Sequence, residues 1–166
     1  ERGARSLAEV AGYAATCDAE AHFTQKEDGE DAIATIHQAL EKAAASPSSV
    51  DYVNAHGTGT AQNDPFETRV LRTVFGDRAD RVPVSSRKSM FGHLLGASAA
   101  IEAAATIAGM EGGFIPPTLN LYRSDPECDL DYVPNSARTA QITLSVSTSF
   151  GFGARNAALV LRRIQP

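Results

Sequence analysis

The chain has 166 residues and a mass of 17.5 kDa, the size of one domain. With 43% hydrophobic and 21% charged residues it can fill a sizeable core beneath an ordinary soluble surface, which argues against disorder. Fifteen basic against twenty acidic residues give a formal net charge of −5, the wrong sign for a nucleic-acid-binding domain.

No apolar run reaches the roughly 18 residues of a membrane span. The opening Glu1-Arg2-Gly3-Ala4-Arg5 does not read as a signal peptide. Cys17 and Cys128 are too few and too far apart for a disulfide scaffold or a zinc site. Free thiols in a reducing cytoplasm are the expectation.

Residues 6–13, with Leu7, Val10 and Tyr13 among small residues, predict a first strand, and the polar stretch 17–29 a loop. Over 31–45, Ile33, Ile36, Leu40 and Ala43 recur at helical spacing. Residues 50–56 read as a strand that runs into the glycine-containing loop 57–60. Asp64 followed by Pro65, with Glu67 three residues after Asp64, reads as a capped helix start. That helix carries Phe66, Val70, Leu71 and Phe75 and ends at Gly76.

A short strand over 82–86 then delivers Lys88 into another loop. Residues 94–110 are Ala-rich with one charge, Glu102, which predicts a helix buried nearly all round. Pro116, Pro117 and the loop 122–129 break the pattern before 130–134. Residues 141–147 and 157–161 make two strand candidates joined by a hairpin connection over 149–156. The fold class expected is α/β, strand-helix alternation ending in a strand pair.

Two of the four histidines sit where an element meets a loop. His56 ends a strand and opens the run His-Gly-Thr-Gly-Thr, and His93 follows Gly92 at the entrance to the Ala-rich helix. Such positions can face a cleft while a rigid element holds the backbone. Gly57 and Gly59 would let a ligand approach the backbone closely, and Thr58 and Thr60 offer hydroxyls to an extended polar ligand. From spacing alone, two structural histidines beside a tight turn explain the pattern equally well.

Glu102 lies alone among apolar residues, so a partner is expected, and Lys88 is the nearest lysine in sequence. The alternative is a Glu102 that points to solvent. His37 reads as a surface residue. His22, near Glu20 and Asp18, is a weak metal-ligand candidate. Cys17 has no evident base nearby and reads as an inert thiol.

Four ordered motifs carry a resemblance over nearly the whole chain. Asn54-Ala55-His56-Gly57-Thr58-Gly59-Thr60 with Asn63, Asp64 and Glu67 is the first. Ser85-Ser86-Arg87-Lys88-Ser89-Met90-Phe91-Gly92-His93-Leu94-Leu95-Gly96-Ala97 with Glu102 is the second. Pro116-Pro117-Thr118-Leu119-Asn120-Leu121 and Ser149-Phe150-Gly151-Phe152-Gly153 complete the set. Together they resemble the β-ketoacyl synthases, and specifically the C-terminal half of their thiolase-like layered fold. The resemblance implies that residues 1–166 are a C-terminal ketosynthase half-domain, with the nucleophilic cysteine in an N-terminal half absent from this chain. Cys17 and Cys128 match no cysteine motif of the family.

The activity implied is a decarboxylative Claisen condensation of malonyl units in fatty-acid or polyketide synthesis. His56, His93 and Lys88 would be the catalytic set, with Glu102 supporting; Lys88 and Glu102 would set position and charge around His93. Thr58 and Thr60 would hold the phosphopantetheine arm. Phe152 would gate the acyl pocket, with backbone amides beside it contributing to an oxyanion hole. No cofactor is implied beyond the phosphopantetheine of an acyl carrier protein. The partners implied are the N-terminal half, the carrier protein and a second condensing unit in a dimer, with no nucleic acid and no membrane. A non-catalytic chain-length-factor-like or carrier-docking protein is the alternative. Ala154 departs from the family, which commonly has a second glycine there; a positive φ at that position would strain it.

Overall fold

The computed structural model describes residues 3–19 and 25–164. In chain order it contains β1 (Ala8–Cys17), α1 (Glu30–Lys42), β2 (Tyr52–Asn54), α2 (Asn63–Phe75), β3 (Val84–Ser85) and α3 (Lys88–Phe91). These are followed by α4 (Ser98–Gly112), β4 (Phe114–Ile115), β5 (Arg138–Thr139), β6 (Leu144–Gly151) and β7 (Arg155–Arg163). A five-stranded sheet runs in the order β1-β7-β6-β2-β3, and β4 with β5 forms a separate two-stranded ribbon. β2 lies between two parallel neighbours, β3 and β6, whereas β7 is antiparallel to both β6 and β1.

Successive strand residues point to opposite faces, so the sheet has two cores. Val53, Val146, Ala158 and Val160 pack with Ile36 and Leu40 of α1 and with Phe66 and Leu71 of α2. One residue out of phase, Tyr52 and Leu161 pack with Met110 of α4, Ile115 and Ile142. The result is a three-layer α/β arrangement. Close approach of α1 to β1 depends on Gly12, where an added Cβ would stand 2.1 Å from the carbonyl oxygen of Ala39. Among the described residues no helix is long and apolar enough to cross a membrane.

The elements expected from the sequence are present, with shifted bounds. The first strand starts and ends later than expected, and the stretch 50–56 is a strand only over β2. The Ala-rich stretch is not buried all round. Its helix begins at Ser98 and buries one stripe, Ser98, Glu102, Thr106, Gly109 and Met110. Ala100, Ile101, Ala104 and Ala108 are exposed, because only one face of α4 meets this chain's own sheet.

Helix α2 also starts differently. Asp64 is inside the first turn rather than at the cap. The capping bond comes from Thr60, whose Oγ1 accepts the N–H of Asn63 at 3.2 Å. Asp64 and Glu67 are thereby released for other partners.

Candidate active site

His56 stands just past the C-terminal end of β2, the end at which open sheets with parallel strands place their ligands. The loop that follows turns on Gly57 (φ 43°) and Gly59 (φ 73°). Two carboxylates on the first turns of α2 hold it. The Glu67 carboxylate accepts the backbone N–H groups of His56 and Gly57, each at 2.8 Å, and the Thr148 hydroxyl at 2.6 Å. Asp64 accepts the N–H of Gly59 at 3.1 Å. Burial pushes the Glu67 carboxyl above the usual carboxylate range, against the opposing effect of its Thr148, Gly57 and His56 bonds. Thr58 and Thr60 share a hydroxyl hydrogen bond at 3.0 Å.

The His56 ring is 7% exposed and meets the His93 ring edge to face, with centroids 5.7 Å apart and planes at 84°. Phe150 closes its other side, also at 5.7 Å between centroids. Desolvation, then the charge of Lys88, then His93, lower the His56 pKa to about 3. The ring is therefore neutral at physiological pH. Its Nδ1 is buried with no hydrogen-bond partner, so a proton there would have no acceptor. The tautomer with the proton on Nε2 avoids this and presents a donor.

His93 is exposed and follows Gly92 (φ 75°), which ends α3. Its Nδ1 accepts the N–H of Leu95 at 3.1 Å and lies 3.1 Å from the Ser98 hydroxyl. Ser98 Oγ in turn accepts the N–H of Leu94 at 2.9 Å. An Nδ1 that accepts a backbone N–H leaves the ring proton on Nε2 in the neutral form. Both imidazoles are thus set up as N–H donors.

Lys88 and Glu102 form the expected pair: Nζ to Oε1 is 2.7 Å, and both side chains are buried. The second Glu102 oxygen accepts Asn54 Nδ2 at 3.1 Å, and the same nitrogen also donates to Ser147 Oγ at 2.9 Å. The charge of Lys88 is felt at His56. Ser86 ties the Lys88 turn to the loop, donating from Oγ to the Gly57 carbonyl at 2.6 Å.

Phe152, 75% exposed, tops the turn between β6 and β7. Ala154 has φ 52°, the strained conformation anticipated for it. The end of β1 holds this turn: Cys17 Sγ donates to the Gly153 carbonyl at 3.2 Å, and the Asp18 N–H donates to the Ala154 carbonyl at 2.9 Å.

Two open clefts share Thr58, Thr60 and His93 in their walls. One adds Lys88, Thr118 and Tyr132; the other adds His56, Phe150, Phe152 and Cys17. The structure therefore brings His56, His93, Lys88, Glu102, Thr58, Thr60 and Phe152 to one region. His37 is an exposed residue of α1, as read. His22 lies outside the described residues. The spacing after Asp64 predicts Glu67 as a capping residue, whereas its carboxylate holds the N–H groups of His56 and Gly57. The signal for its true place was a carboxylate within the buried stripe of α2, alongside Asn63, Val70 and Val74.

A sequence model described as "Beta-ketoacyl synthase, C-terminal domain" matches residues 7–122. The tetracenomycin polyketide synthase ketoacyl synthase alpha subunit of Streptomyces glaucescens is 46% identical over 162 residues, covering 98% of this chain and 38% of that protein. The 3-oxoacyl-[acyl-carrier-protein] synthase 2 of Synechocystis sp. is 46% identical over 164 residues, covering 99% of this chain and 39% of that protein. Among solved structures, a type II polyketide synthase acyl-carrier protein in complex with its ketosynthase bound to the hexaketide superposes with a TM-score of 0.95 at 40% identity. That match covers 99% of this chain and 40% of the other. The chain thus spans about two fifths of the length of the relatives it matches.

Proposed function

The chain belongs to the β-ketoacyl synthase family, and on that premise we propose that it supplies the decarboxylating half of a condensing active site. The observation that carries this reading is the pair of imidazoles, 5.7 Å apart between centroids, whose Nδ1 atoms are not placed to donate: that of His56 is buried without a partner and that of His93 accepts the Leu95 N–H. Their N–H groups would donate to the thioester carbonyl of a malonyl unit delivered on an acyl carrier protein. As the bond to the carboxylate breaks, its electron pair forms the enolate and carbon dioxide leaves. Fixed donors stabilise the developing oxyanion in a desolvated site. The enolate carbon then attacks an acyl thioester, and the cysteine thiolate leaves.

That cysteine belongs, in this reading, to a complementary half, since Cys17 is bonded to the Gly153 carbonyl and matches no nucleophile motif. The exposed apolar side chains Leu94, Leu95 and Ile101 would pack against that half. Thr58 and Thr60 would hold the phosphopantetheine arm, Phe152 would gate the acyl pocket, and Lys88 with Glu102 would maintain the charge beside His56. The assembled unit would work in the cytoplasm and dimerise. It needs no cofactor beyond the carrier's phosphopantetheine.

The test separates two steps in the full-length protein. His56→Ala and His93→Ala should abolish malonyl-dependent carbon dioxide release while acylation of the cysteine continues. Wild-type carbon dioxide release from either variant removes the assigned role. An inactive wild-type assembly that still captures carrier protein would favour the docking alternative.

A further inference from the structure

Arg87 is fully buried, yet among the described residues no carboxylate stands within ion-pair distance of its guanidinium. Neutral oxygens hold it instead. Its Nη2 donates to the Tyr52 hydroxyl at 2.5 Å, to the Pro116 carbonyl at 2.8 Å and to Ser85 Oγ, while Nη1 donates to the Pro117 carbonyl at 3.3 Å. Its Nε is buried with no partner. A lone buried cation carries a heavy desolvation cost, and an apolar side chain of the same volume would avoid it. Stability alone is a poor reason for this residue.

The four oxygens lie on three separate pieces of chain: β2, the end of β3, and the segment at 116–117. Arg87 joins them one residue before Lys88. The neighbouring bonds continue the same seam: the Ser86 N–H donates to Thr118 Oγ1 at 3.1 Å, and the Leu119 N–H to Ser89 Oγ at 2.9 Å. A lysine could not replace it, because a single ammonium cannot spread donors over four oxygens as the planar guanidinium does.

We propose that Arg87 is a positioning residue of this site: its buried guanidinium locks the turn bearing Lys88 against β2 and the 116–117 segment, and so fixes Lys88 between Glu102 and His56. The proposal rests on the functional reading above.

The test is a double-mutant cycle of Arg87→Met and Lys88→Met, in the full-length protein with its cysteine-bearing half. Arg87→Met should lower kcat for carbon dioxide release about ten- to a hundredfold, as displaced site groups do, with KM for the malonyl carrier nearly unchanged. In the Lys88→Met background the same substitution should cost nothing further, because both act through one group. Arg87→Lys should not rescue the rate. Additive losses, or an unchanged kcat in Arg87→Met, overturn the proposal. If Arg87→Met does not fold, Tyr52→Phe removes one acceptor, and its smaller kcat loss should likewise vanish without Lys88.

If the wild-type protein releases no carbon dioxide at all, the functional reading fails and acetic-anhydride labelling decides the positioning role. Below the melting transition, Arg87→Met, or Tyr52→Phe in its place, should raise acetylation of Lys88 severalfold relative to exposed Lys42. Equal labelling overturns it.

Discussion

The carboxylate of Glu67 accepts the backbone N–H of His56 at 2.8 Å, so a residue on α2 fixes the backbone that carries the first imidazole. The same carboxylate takes the N–H of Gly57, and together the two bonds define how the loop leaves β2. Glu67→Gln keeps one acceptor oxygen and turns an amide N–H₂ toward backbone donors. Loss of a buried bond should destabilise the protein by about 1–3 kcal/mol. A displaced ring should lower carbon dioxide release by roughly ten- to a hundredfold. Denaturant titration and the gas-release assay measure the two effects separately.

Lys88 and Glu102 are buried together at 2.7 Å. Lys88→Ala leaves a buried carboxylate whose remaining partner is Asn54, and should cost about 3–5 kcal/mol. Replacing both members, Lys88→Met with Glu102→Leu, should return part of that stability and none of the activity. A melting temperature unchanged by Lys88→Ala would show that Asn54 alone satisfies the carboxylate.

His56 has a pKa lowered to about 3 by burial first and by Lys88 next. In the unfolded chain it titrates near 6.5. Between those values the unfolded state binds the extra proton, so stability is complete above about pH 6.5 and falls by up to ~1.4 kcal/mol per pH unit as the solution is acidified. His56→Phe should flatten this part of the stability curve relative to wild type. Parallel curves for the two proteins would place the titrating group elsewhere.

Gly57 has φ 43°, and a Cβ there would stand 2.5 Å from the Ser86 Cβ. Gly57→Ala should therefore cost about 2–4 kcal/mol, combining the left-handed backbone with overpacking. It should also push the loop off the Lys88 turn by breaking the Ser86 bond to the Gly57 carbonyl. Urea midpoints and acceleration of amide exchange at Gly57 would report both.

The pattern of the sequence carried most of the fold, since period-3.6 and period-2 spacing follow from which face is buried. It failed at α4, where apolar composition predicts burial but says nothing about whether this chain supplies the covering surface. Of the site, Lys88 and Glu102 were legible because a lone carboxylate in an apolar helix demands a partner. The role of Glu67 was hidden by the same spacing that makes a capping box, and only the tertiary position of the loop decides between the two. Arg87 gave no signal, because an arginine next to a lysine is most simply a solvated pair. Its burial depends on Tyr52 and on the Pro116 and Pro117 carbonyls, which sequence distance separates from it.

The sheet order has a consequence for when this site can exist. The N–H of His56 also donates to Thr148, 92 residues later in the chain, and among the described residues β1 pairs with β7 alone. Contacts of such long sequence separation form late, because the intervening loop must be closed before they contribute. A ribosome that has released β2 and β3 has therefore made His56 without its setting; α2 can pack early, but the β6–β7 hairpin must arrive to complete the parallel neighbours of β2. In pulsed hydrogen exchange during refolding, the His56 amide should gain protection no sooner than the amides of β7. Protection of His56 in an earlier phase would mean that Glu67 alone suffices to build the loop.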